Sequence, residues 1–173
     1  MTEIQPVPDA NVRAQSYFVA RTHGRCWHCG LSTRLLALAL PCNHETLDAD
    51  TESEAHEGCE PAADAWQRAG VNAFLFYVGH LPAGVQNRLH QLQPLFRVGF
   101  SAATLNSYWA NHCEHCGTLL GDHELHCEPD GAFMPSNEAA AANIQLVKIP
   151  EPFAAAAAGY AFEPEFFALM PRR

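Results

Sequence analysis

The apolar positions of this chain fall into short blocks separated by Gly, Pro and polar turns. Ser16-Tyr17-Phe18-Val19-Ala20 is rich in aromatic and β-branched residues and predicts a strand. Leu35 to Leu40 is apolar at every position, so period alone does not separate a buried strand from a short helix. The cysteine turn before it and Pro41 after it favour a strand. Asn72 to Val78 is the most strand-like block, ended by Gly79 and Pro82. Between Ala83 and Leu92, Val85, Leu89 and Leu92 recur at helical spacing and predict a helix stopped by Pro94. Leu95 to Val98 resumes a strand pattern, and Ser101 to Ala110 delivers the chain to a cysteine-rich turn.

The remaining blocks are shorter. Ala62 to Ala69 reads as a helical turn with Trp66 facing inward, and His123 to Cys127 as a short strand. Ser136 and Asn137 are placed to cap a helix over Glu138 to Asn143. Phe153 to Ala158, an alanine run, and Glu163 to Met170 read as short helical pieces with aromatic anchors. The expected organisation is an extended arm over 1–14, a main domain over 15–135 and a helical extension over 136–173. The expected fold class is α+β, with a small antiparallel sheet and short helices.

Composition supports a folded protein: 48% of residues are apolar and only 17% charged. No apolar run approaches the ~20 residues that span a bilayer. The N-terminus has neither the basic start nor the apolar core of a secretory signal, so a cytoplasmic location without a membrane role is expected. The net charge of −9 is local in origin. Eight of the nineteen acidic residues lie between Asn43 and Asp64, a stretch without Lys or Arg that reads as a surface loop. The rest of the chain is nearly neutral, which argues against general electrostatic attraction to nucleic acid.

Seven cysteines change the picture. An odd number without an export signal argues against a disulfide framework. Four of them form a repeated motif: Cys26-Trp27-His28-Cys29-Gly30 and Cys113-Glu114-His115-Cys116-Gly117. A Cys-x-x-Cys turn puts two sulfurs on one side of a bend, and the following Gly can take positive φ. Two such turns supply the four thiolates of a structural zinc site. The motifs resemble the knuckles of zinc-ribbon proteins over about 25 residues around each pair. That resemblance implies a zinc-ribbon-like core in which each knuckle sits between two strands and faces the other. It implies one structural Zn²⁺ held by Cys26, Cys29, Cys113 and Cys116. The 83 residues between the pairs depart from a compact ribbon and make the second knuckle a clasp across a whole domain. Tyr108 to Phe133 also resembles bacterial proteins with paired Cys-x-x-Cys-Gly motifs, a resemblance that implies no activity.

Other chemistry is weaker. A Cys-x-His-Cys dithiol resembles thioredoxin-like oxidoreductases, but Gly directly after the second Cys suits a turn better than helix entry. His28 and His115 are read as neighbours of the metal shell more readily than as ligands. On a strand, Asp122, Glu124 and His126 would share one face, as a small catalytic metal cluster or, more simply, a solvated face. Cys42, His44, His56 and Cys59 could form a second site in the acidic loop; unpaired thiols with surface histidines are the simpler reading. No phosphate-binding Gly loop, nucleophile elbow or His-Glu-x-x-His helix is present. The expectation is a zinc-stabilised binding or adaptor protein, more readily non-enzymatic. A protein partner is favoured over nucleic acid, for which Arg21, Arg25, Arg34 and Trp27 offer only a local patch.

Overall fold

The computed structural model describes residues 7–47 and 66–173. Most of the acidic loop, including His56 and Cys59, lies outside the described residues, as do residues 1–6 and 48–65.

Eleven strands and three short helices are described. The strands are β1 (Val12–Ala14), β2 (Tyr17–Arg25), β3 (Ser32–Leu40), β4 (Glu45–Leu47), β5 (Trp66–Arg68) and β6 (Ala73–His80). Helix α1 (Ala83–Leu92) precedes β7 (Phe96–Ser101), β8 (Asn106–His112) and β9 (Leu119–Leu120). Helices α2 (Asp122–His126) and α3 (Glu138–Ala141) precede β10 (Gln145–Ile149) and β11 (Phe153–Phe162). The mixed α+β class holds. The sheet is not small: all eleven strands join one antiparallel array. Its main path runs β10-β2-β3-β6-β11-β1-β4-β5, and β8 branches from β6 carrying β7 and β9. The residues between the cysteine pairs therefore build the centre of the sheet and are not an appendage.

Strand β3 explains its continuous apolar run. Leu36, Leu38 and Leu40 face one core, with Tyr17, Val19, Phe153 and the α1 residues Val85 and Leu89. Leu35, Ala37 and Ala39 face the other, with Phe18, Phe74, Phe133, Ile144, Phe167 and Met170. A strand covered on both faces needs no polar alternation. Cys26 and Cys113 belong to this second core, so the knuckles sit on its rim.

Five expectations are corrected. Phe153–Phe162 is a strand, not a helical piece, bonded to β6 along one edge and β1 along the other. Alanine is the best intrinsic helix former, but propensity is worth less than ~1 kcal/mol per residue and two waiting strand edges outweigh it. Residues 145–162 are thus mainly sheet, so the segment over 136–173 is not helical throughout; α3, capped by the Asn137 side chain on Ala140 N–H at 2.9 Å, matches, and a 3-10 turn over Phe167–Leu169 lies within the expected Glu163–Met170 piece. Trp66 lies in β5, stacked under the Arg13 guanidinium at 4.1 Å. Asp122–His126 is a helix, which carries Asp122 and His126 into the interior and leaves Glu124 exposed. Val12–Ala14, at the end of the expected arm, is a sheet strand.

Candidate metal centre

Each cysteine pair occupies a turn between two antiparallel strands: β2 and β3 for the first, β8 and β9 for the second. The turns are built alike. Cys26 N–H donates to Leu31 O and Gly30 N–H to Cys26 O, both at 2.9 Å. Cys113 N–H donates to Thr118 O and Gly117 N–H to Cys113 O, again at 2.9 Å. Gly30 and Gly117 both have φ of +73°, a conformation that side-chain-bearing residues adopt at a cost. The repeated Gly in the sequence is thus required by the backbone, and the sulfurs of each pair are left on one side of the bend.

The two turns face each other and bring four sulfurs together. Cys26 Sγ is 3.7 Å from Cys116 Sγ, and Cys29 Sγ is 3.7 Å from Cys113 Sγ. All four ligand atoms lie within 4.8 Å of one another. Zinc–thiolate bonds of ~2.3 Å in a tetrahedron give sulfur–sulfur edges of ~3.8 Å. A disulfide would need ~2.05 Å, and none of these sulfurs is that close. The four cysteines are therefore placed to hold a metal ion. Cys26 and Cys113, the first of each pair, are buried at 1% exposure, whereas Cys116 is at the surface.

Protonation also reflects the shared site. Cys116 is drawn down to about 5, chiefly by Thr118, whose hydroxyl oxygen lies 3.3 Å from Sγ. Cys29 has the Leu31 backbone N–H as its strongest stabilising contact, yet burial and the three neighbouring sulfurs push it up to about 11. Four converging thiols cannot all carry charge unaided. A bound divalent cation removes that conflict, because coordinated thiols are deprotonated outright.

Around the sulfurs, each turn grips the strands of the other. The Trp27 indole N–H donates to Leu119 O at 3.3 Å, and His115 Nε2 lies 2.9 Å from Ser32 O. Leu119 and Ser32 occupy equivalent positions, six residues after the first Cys of their turns. Glu114 accepts from Arg34 N–H at 2.8 Å and from Arg34 Nε–H at 3.4 Å, while its own N–H donates to Thr33 Oγ1 at 3.1 Å. Arg34, ahead of every other group, holds the Glu114 carboxyl below its usual range. These contacts, along with Asn111 below, were not visible in the sequence, because nothing in local spacing pairs residue 34 with residue 114.

Among the described residues the other sequence candidates do not assemble; His56 and Cys59 lie outside them. Asp122 accepts from Tyr77 N–H at 2.7 Å, and burial lifts its carboxyl to about 7. His126 packs between Phe76 and Phe133, with ring centroids at 5.2 and 5.1 Å. Among the described residues, only the four-cysteine group meets the geometry of a metal site. Cys42 Sγ–H donates to Gly70 O, and buried His44 stacks on Phe162. No helix of the described chain is long and apolar enough to cross a membrane. No family model, curated protein or solved structure matches this chain, so geometry and donor chemistry alone carry the functional reading.

Proposed function

We propose that this chain is a zinc-stabilised binding or adaptor protein in which Cys26, Cys29, Cys113 and Cys116 hold one structural Zn²⁺ as the clasp of a zinc-ribbon-like pair of knuckles. The observation that carries the proposal is the convergence of four sulfurs, from turns 83 residues apart, at spacings that match a tetrahedral thiolate shell. Four protein ligands fill the shell and leave no open position for substrate, which marks structural and not catalytic zinc.

The binding reading rests on what the knuckles leave exposed. Trp27 is 63% exposed although its indole nitrogen is satisfied, and Leu31 beside it is 51% exposed. A rigid aromatic with an apolar neighbour, on a turn fixed by the metal, is the kind of anchor that protein interfaces use. The oxidoreductase alternative needs one Cys-x-x-Cys pair to act alone, whereas here each pair's sulfurs meet those of the other at 3.7 Å.

Protein purified without added metal should contain one zinc per chain. Chelation should expose four further thiols together with loss of native far-UV dichroism. Folded, metal-free protein cycling through a disulfide within either pair would overturn the zinc reading in favour of the redox one. For the binding face, a partner should co-purify with the wild type and be lost from a zinc-loaded Trp27→Ala/Leu31→Ser variant. Retention of every partner by that variant would rule the face out.

A further inference from the structure

Basic side chains gather on one face of β2 and β3, outside the four-cysteine group. Outward positions of β2 alternate Arg21, His23 and Arg25, all exposed. In the ladder His23 faces Arg34 and Arg21 faces Leu36, so Arg21 and Arg34 are diagonal neighbours on one face. A cavity of about 230 Å³ opens there. Arg21, His23 and Arg34 border it, the amides of Gln93, Asn143 and Gln145 supply hydrogen-bonding groups, and Leu92 at the end of α1 supplies an apolar wall.

The charge of this cavity runs against that of the protein. The chain has ten basic residues against nineteen acidic ones, yet the cavity is lined by two arginines and no carboxylate. Among the described residues Arg21 has no ion-pair partner. Arg34 meets Glu114 through Nε, with its side chain still 59% exposed. Gln93 forms a fixed wall: it is only 5% exposed, and its Nε2 donates to Arg34 O at 3.3 Å, which ties it to the Arg34 backbone. An anion in the cavity would meet the guanidinium groups of Arg21 and Arg34, which are the only charged groups in its lining.

We infer that this cavity binds a small oxyanion, a phosphate or a short carboxylate, through Arg21 and Arg34 with Gln93 at its wall. The planar, forked guanidinium matches both oxyanion geometries. The volume is below the range of drug-sized pockets, which restricts the ligand to a few heavy atoms or to one terminal group of a larger metabolite. The inference is independent of the metal.

The test is calorimetric titration of the zinc-loaded full chain with inorganic phosphate and, separately, with malate, using sodium chloride at matched ionic strength as control. Saturable binding of one anion per chain is expected. Binding of phosphate alone identifies a phosphate-bearing ligand, and binding of malate alone a carboxylate. Arg21→Gln, at an exposed position that leaves the core intact, should weaken binding by about tenfold or more. Arg25→Gln, on the same strand but outside the cavity, should leave it unchanged. No saturable binding of either anion up to roughly 10 mM overturns the inference. So does equal binding by the Arg21→Gln variant, or equal weakening by Arg25→Gln, which would signify diffuse charge attraction.

Discussion

Asn111 offers the sharpest quantitative test of how the two knuckles are tied together. It lies on β8 two residues before Cys113, and its amide mimics a strand partner for β3. Leu36 N–H donates to Asn111 Oδ1 at 2.8 Å, and Asn111 Nδ2 donates to Leu36 O at 2.9 Å. Both residues are 1% exposed, so no water can replace the amide. Asn111→Leu keeps the branched outline with bulkier methyl ends, and it orphans one buried N–H and one buried C=O. Each orphan costs ~1–3 kcal/mol, partly offset by better burial of an apolar side chain, so a net loss of ~3 kcal/mol is expected. For a chain of this length that lowers Tm by ~6–12 °C. Urea and thermal unfolding in zinc-containing buffer measure it directly. Asn111→Ala, which adds a cavity, should lose at least as much. If Asn111→Leu stays within ~1 kcal/mol of wild type while the alanine variant does not, the position acts by packing and the hydrogen-bond argument is wrong.

Three further outcomes are expected. Cys113→Ser should lose the metal and, with it, native far-UV dichroism, because zinc binding in small domains supplies ~10–16 kcal/mol, as much as a domain's whole net stability; an unchanged melting temperature would show that the clasp is dispensable. Gly159→Ala should cost ~1–3 kcal/mol, since its Cβ would lie 2.2 Å from the Phe76 ring, and an unaffected urea midpoint would contradict that packing. Asp122 sets a pH dependence. Burial raises its folded-state value from 3.8 to about 7, so the folded form binds the proton more tightly than the unfolded one. Its contribution is complete below pH ~4 and fades as pH rises to ~7. Relative to Asp122→Asn, whose amide oxygen can still accept from Tyr77 N–H, wild type should lose on the order of 1 kcal/mol between pH 6 and 7. Taking the difference cancels His126, which burial depresses to about 3 and which destabilises in the opposite direction as pH falls below ~6.5. Parallel pH profiles for the two proteins would refute the assignment.

Much of the central sheet was legible because burial leaves a direct imprint. The apolar run of Leu35 to Leu40 and the block of Asn72 to Val78 became β3 and β6, and the period of Val85 and Leu89 became α1. The four cysteines were legible for a different reason: the trailing glycines repeat because the turn geometry repeats. What escaped is non-local. The alanine run gives no sign that β1 and β6 wait on either side of it, nor that Gly159 makes room for an aromatic ring. Asp122 to His126 is short enough to fit either period, and its helix is decided by the interior positions awaiting Asp122 and His126. Glu114 with Arg34, and Asn111 with Leu36, are pairs about eighty residues apart that only the folded chain creates.

On the proposed function, one zinc ion joins the two turns through four sulfurs. X-ray absorption at the zinc edge, on protein purified without added metal, tests it most directly. A single shell of four sulfur scatterers at ~2.3 Å, with no nitrogen or oxygen in it, is expected. A shell with imidazole or carboxylate scatterers would bring in ligands other than these cysteines, and protein with no zinc to measure would contradict the account outright.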